Sequence, residues 1–92
     1  MILEIITPEA IILSTEVSKV AVPGVTGGFQ MLDNHAPVVS LLQQGNVRFS
    51  GNNIVLDEAF ENKFTKEGED YILAIDGGTI EMNNNKVILL AD

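Results

Sequence analysis

No uninterrupted apolar run in this 92-residue chain exceeds five residues, and the runs follow one another at close spacing. They are rich in valine, isoleucine and leucine, with turn-forming residues between them. Such runs read as strands, and many short strands with regular punctuation read as an all-β sandwich or barrel. The runs predict strands at Ile2–Ile6, Ala10–Ser14, Val17–Val22, Phe29–Leu32, Val38–Leu42, Asn46–Phe49, Ile54–Asp57, Tyr71–Ile75, Thr79–Met82 and Lys86–Leu90. The expected fold is therefore a ten-stranded antiparallel β-sandwich or flattened barrel. The length suits one domain spanning 1–92.

Alternation supports the assignment. Val20 and Val22 share one face, with Lys19 and Ala21 on the other. Ile80 and Met82 point in, while Thr79 and Glu81 point out. Lys86–Leu90 alternates less cleanly and reads as a strand buried on both faces. The turns have local causes. Asp76-Gly77-Gly78 reads as a tight hairpin, because glycine reaches positive φ without strain. Asn83-Asn84-Asn85 is a second hairpin signal, since asparagine tolerates the left-handed region better than other non-glycine residues. Pro23-Gly24 and Gly27-Gly28 bracket a tight loop.

One segment, about 57–70, resists a strand reading. It holds six acids and two lysines, so half of the chain's net charge of −8 lies there. Asp57 could cap a helix carrying Phe60 and Phe64, and Gly68 could end it. A longer acidic hairpin accommodates the same residues, because Phe60, Asn62 and Phe64 also share a strand face. Both readings stay open on the sequence.

The charge balance excludes some partners. Phosphate backbones are held by lysine and arginine, and five scattered basic residues make no such patch. Nucleic acid and anionic lipid are therefore not expected. No run approaches the roughly 20 apolar residues that span a bilayer. The start, Met-Ile-Leu-Glu, lacks the basic residues of a secretory signal. There is no cysteine, which removes disulfides, thiolate metal sites and a thiol nucleophile.

A search for catalytic groups yields little. His35 is the single histidine, with Asp33 and Ser40 nearby in sequence. A triad needs convergence in space, which closeness in sequence does not supply. A packed turn or an interface contact is the expected role of His35. Glu67, Glu69 and Asp70 lack the ligand spacing of a calcium loop and read as a solvated hairpin tip. The loop Pro23–Gly28 lacks the lysine and the following helix of a phosphate-binding loop. No catalytic residue, cofactor or metal is expected.

The stretch Val20–Gly45, VAVPGVTGGFQMLDNHAPVVSLLQQG, resembles the signature of the ε subunit of F-type ATP synthases, the mitochondrial δ counterpart included. Asn34-His35-Ala36-Pro37 stands at the family's Gly-His-Ala-Pro-like turn. Leu3–Glu9 is similar to its opening strand, and Asp76–Met82 followed by Val87–Asp92 to its closing strands. Asn34 takes the usual glycine position, which requires a residue that tolerates positive φ. Pro37 holds its neighbours extended and starts the next strand.

Three departures limit what carries over. The sequence stops at Asp92, whereas the family commonly continues into a helical hairpin with inhibitory and, in some members, ATP-binding roles. The stretch Gly45–Gly77 is longer than usual, and the excess coincides with the acidic segment. Gly28 and Gln30 stand where many members have an acidic residue and a glycine.

The resemblance implies a non-catalytic central-stalk subunit of a proton-translocating ATP synthase, coupling the γ subunit to the c-subunit ring. It implies a peripheral position at the cytoplasmic face of the bacterial inner membrane, or its organellar equivalent. It places Gly24, Gly27 and Gly28 in one partner-facing loop, and Asp33, Asn34 and His35 in a partner-facing turn. Val38, Ser40 and Leu42 would form part of a γ-facing surface, with Val39 and Leu41 then in the core; the alternative is that these apolar residues are simply core. The competing expectation is a stand-alone β-sandwich for ligand binding or protein interaction. A small hydrolase using His35 is a third class.

Overall fold

The computed structural model describes residues 1–92. Ten strands form in chain order: β1 Ile2–Ile6, β2 Ile11–Glu16, β3 Lys19–Val22, β4 Phe29–Leu32, β5 Val38–Leu42, β6 Gly45–Ser50, β7 Thr65–Glu67, β8 Asp70–Ile75, β9 Gly78–Asn83 and β10 Lys86–Ala91. They make two five-stranded sheets. The first runs β2-β1-β10-β9-β5 and the second β4-β3-β6-β8-β7. The sandwich is thus as the periodicity predicts. Every ladder is antiparallel except one: β1 and β10, the two ends of the sequence, lie side by side and parallel.

Inward side chains from both sheets make one contiguous apolar core. Leu3, Ile5, Val20, Met31, Val47, Phe49, Val87 and Leu89 are wholly buried in it. β3 and β9 alternate as expected, with Val20, Val22, Ile80 and Met82 inside. β10 also alternates: Val87, Leu89 and Ala91 face in, while Ile88 and Leu90 face out. It is therefore covered on one face only within this chain.

The segment Ile54–Asp57 is not a strand. It runs beside the β2 edge, where the Val55 N–H donates to the Thr15 hydroxyl at 3.1 Å. That contact satisfies the one buried polar side chain and shields a sheet edge from further pairing. Ile54 and Leu56 pack on the core and Val55 points out. The seventh strand comes instead from the acidic segment, which combines both expected shapes in small form. Glu61–Lys63 makes a single 3₁₀ turn, and β7 and β8 then form a hairpin through Gly68 at φ 61°.

The hairpin is held down by charge as well as by rings. Arg48 on β6 lies 3.2 Å from Glu67 and 3.4 Å from Asp70, and Lys19 also reaches Asp70 at 3.4 Å. The hydrogen bond that Arg48 donates to Glu67, then the Glu67 charge, with Asp70 adding, raise the Arg48 pKa above its ordinary value. Two of the acids expected as a solvated tip are thus paired with basic groups of the sandwich.

Two turns differ in kind. Asn84 and Asn85 have φ of 52° and 59°, and Asn83 pairs with Lys86. That is the type I′ geometry that matches strand twist in two-residue hairpins. Asp76-Gly77-Gly78 is not a hairpin, because β8 and β9 belong to different sheets. The chain crosses between layers there. Gly78 has φ 154°, and a Cβ on it would lie 2.1 Å from the Leu90 carbonyl oxygen. Close backbone approach, and not hairpin twist, requires this glycine.

Candidate docking surface

β5 forms an edge of the first sheet, with a loop at each end. At its far end the Val25 N–H donates to the Leu41 carbonyl at 3.1 Å, and Gly24 bridges Leu42. The Gly27 N–H closes the loop on the Gly24 carbonyl at 3.0 Å, with Gly27 at φ 129°. A Cβ on Gly24 would stand 2.7 Å from the Gly27 oxygen, so the loop can close this tightly only with glycine there. Gly28 leads directly into β4.

At the near end, Asp33 accepts a 2.6 Å hydrogen bond from the Met1 ammonium group. Asn34 adopts φ 63°, as its position in the turn predicts, and its N–H donates to the Asn85 side chain at 2.8 Å. The His35 Nδ1 lies 2.7 Å from the Ala36 carbonyl, so Nδ1 carries the proton and donates. Ser40 donates to the Leu41 carbonyl at 3.1 Å. Asp33, His35 and Ser40 therefore bond to three separate partners and not to one another. The loop Gly24–Gly28 and the turn Asp33–His35 sit at opposite ends of the sandwich. A five-residue strand separates them by about 15 Å.

The phase of β5 is the reverse of the one a γ-facing Val38, Ser40 and Leu42 requires. Leu42 is in the core, 5% exposed, and Val38 packs against the core. Val39 and Leu41, expected inside, are 77% and 61% exposed. The reason is the ladder: Val38 pairs with Met82, and Met82 points inward, so Val38 must do the same. Ser40, opposite buried Ile80, is half-buried at the strand edge.

Following the registers across the sheet reveals a surface that the sequence reading missed. Ile11 pairs with Ile6, Ile6 with Leu90, Leu90 with Thr79, and Thr79 with Leu41. These five side chains form one row across all five strands, on the outer face. Ile11 and Leu90 are 58% and 48% exposed. The row is about 19 Å long at ordinary strand spacing. Beside it runs a mixed row of Ser14, Glu4, Ile88, Glu81 and Val39. Glu4 also reaches Lys86 at 3.8 Å.

A signal for this face was present in the sequence. β1, β5 and β10 carry large apolar residues on both faces, whereas β3 and β9 alternate. Strands apolar on both faces are those covered on both faces. In this chain alone, the second cover is missing. An outward row of four apolar residues and Thr79, with acidic neighbours, makes this face the candidate docking surface.

Comparison with known proteins agrees with the sandwich fold. Residues 1–92 match the family described as ATP synthase, Delta/Epsilon chain, beta-sandwich domain. The chain is 37% identical over 90 residues to the ATP synthase epsilon chain of Chlorobium limicola, covering 98% of this chain and 86% of that one. It is 35% identical over 92 residues to the ATP synthase epsilon chain of Maridesulfovibrio salexigens, and there it spans 54% of the relative. The match to the ATP synthase epsilon chain of Anaeromyxobacter sp. strain K, at 33% identity, spans 57% of that relative. The chain thus spans most of some relatives and little more than half of others. Among solved structures, the sandwich superposes on a chain from the central stalk and c-ring of the Tetrahymena thermophila mitochondrial ATP synthase. The TM-score is 0.72 at 13% identity, covering 99% of this chain and 62% of that one. That likeness is one of fold.

Proposed function

This chain belongs to the ATP synthase Delta/Epsilon chain family, and on that footing we propose that its sandwich couples the γ subunit to the c-subunit ring in the rotor of a proton-driven ATP synthase. The observation that carries the reading is the exposed row Ile11, Ile6, Leu90, Thr79 and Leu41, flanked by Val39 and Ile88. This face is assigned to γ. A stable interface needs about 800 Å² from each partner, which one sheet face and its rim can supply.

The two ends of β5 then take different duties. The loop Gly24–Gly28 is assigned to the ring, and the turn Asp33–His35, at the opposite end, stays beside γ. The work is mechanical. A close-packed sandwich deforms little under load, so a torque applied at one face is transmitted through the core to the loops. No helix of the chain is long and apolar enough to cross a membrane. In this reading the protein is held at the cytoplasmic face of the membrane through its partners. The proposal is confined to the sandwich and assigns no inhibitory role to it.

The test is binding of recombinant γ from the same source, with co-purification of γ and c subunits from membranes. Association at micromolar concentration supports the reading. Absence of γ binding at that concentration, by a folded chain, removes it.

A further inference from the structure

The end of the sandwich that carries the Gly24–Gly28 loop is not closed by side chains. A cavity of about 360 Å³ opens there between the sheets. Its floor is the core itself: Ile12, Leu73, Ile75 and Ala91. Its rim comes from the β1–β2 turn, the β8–β9 crossing and the end of β10, and Lys63 of the 3₁₀ turn also lines it. Three exposed rim residues are acidic: Glu9, Asp76 and Asp92. None of them belongs to an ion pair, and neither does Lys63; the ion pairs of the molecule lie elsewhere.

We propose that this cavity is a socket for one lysine or arginine side chain of a partner protein, its aliphatic stem on the apolar floor and its cationic head among the rim carboxylates. The argument is complementarity of two kinds. An apolar anchor would cover the floor but strip water from carboxylates without replacing it. A compact hydrated cation would meet the carboxylates but leave the floor bare. A long basic side chain does both, since its stem is hydrocarbon and its head stays at the wet rim. The volume lies at the small end of the range for ligand pockets, which suits one side chain and its hydration. The rim stays acidic even with Lys63 counted.

Only the source of the side chain, a rotor partner, rests on the function proposed above; the socket does not. The experiment therefore uses the chain alone. The methyl resonances of Ile12, Leu73 and Ile75 are followed while n-butylguanidinium is added. The expected result is a saturable shift with affinity of about millimolar, as fits a fragment of this size. Affinity should fall roughly tenfold in the E9Q/D76N double variant, one decade being the smallest clear loss of a charge contact. It should also fall for n-butanol, which has no charge. Absence of a saturable shift, equal binding of n-butanol, or undiminished binding by E9Q/D76N would each overturn the socket. Probe binding by a chain that binds neither γ nor the ring would keep the socket and remove the rotor reading.

Discussion

The ring of Phe64 stands edge-on to the ring of Phe49, with centroids 5.7 Å apart and planes at 88°. Tyr71 lies against the same Phe49 at 5.7 Å and 16°. Phe49 is fully buried on β6, so the acidic segment places an aromatic ring on the core of the second sheet. The segment is therefore part of the packed body and not an independent lobe.

It follows that Phe64→Ala costs about 2 kcal/mol, less than a fully buried ring because Phe64 is only partly covered. For a domain of this length that lowers Tm by roughly 8–16 °C. Thermal melting followed by circular dichroism measures it. An unchanged Tm would mean that the ring contact is not maintained in solution. Removing Glu58–Glu69 altogether should also lower Tm, while γ binding by the remaining folded chain survives, since the proposed docking face lies on the other sheet.

The phase of β5 has a direct test. Leu42→Ala removes a core side chain and should cost about 2–4 kcal/mol. Leu41→Ala removes an exposed one and should stay within about 0.5 kcal/mol. Urea unfolding of the two variants decides it, and the opposite order would restore the arrangement with Val39 and Leu41 inside.

The docking face separates stability from binding. Leu41→Lys and Leu90→Glu place charges at exposed positions of the row, so unfolding should change by less than about 1 kcal/mol. Binding to γ, read by calorimetry, should weaken by roughly tenfold or more for each, because a charge would be buried unpaired at the interface. Full retention of γ binding by both would move the interface elsewhere.

Gly78 tests the crossing between the sheets. Gly78→Ala puts a Cβ within 2.1 Å of a main-chain oxygen, at a φ that side chains rarely adopt. A loss of more than about 3 kcal/mol is expected, read by urea unfolding or as a failure to accumulate folded protein. Asn46→Ala, at an exposed position on β6, serves as the control and should be near neutral.

Arg48 anchors the hairpin tip. Arg48→Met keeps the stem and removes the pairs with Glu67 and Asp70. Hydrogen exchange at the β7 amides should quicken, while amides of β1 and β10 keep their protection. Unchanged exchange in β7 would show that backbone pairing and the Lys66–Tyr71 contact at 5.0 Å suffice to hold it.

Most strands were legible because their pattern is local. Val20, Val22, Ile80 and Met82 declared their faces by alternation, and Asn34, Asn84 and Asn85 marked positive φ by residue type. The candidate site was less legible. The glycine loop and the Asn34 turn were legible as turns, but the row Ile11, Ile6, Leu90 and Leu41 was not, since the strands that carry it are brought together only by the fold. Ile54–Asp57 reads as a strand by composition, yet its Val55 N–H finds a hydroxyl in place of a neighbouring strand.

By itself, then, the sequence determined where most of the turns fall, nine of the ten strands, and that the result is a β-sandwich or flattened barrel. These follow from side-chain period and from glycine and asparagine backbone preferences, which act over a few residues. Only the tertiary structure decided that β1 and β10 run parallel, that Gly77-Gly78 crosses between sheets, and which face of β5 is inside. A strand such as Val38–Leu42, apolar on both faces, carries no phase of its own. Its partner across the ladder sets it, and Met82 sits forty-four residues from Val38 along the chain.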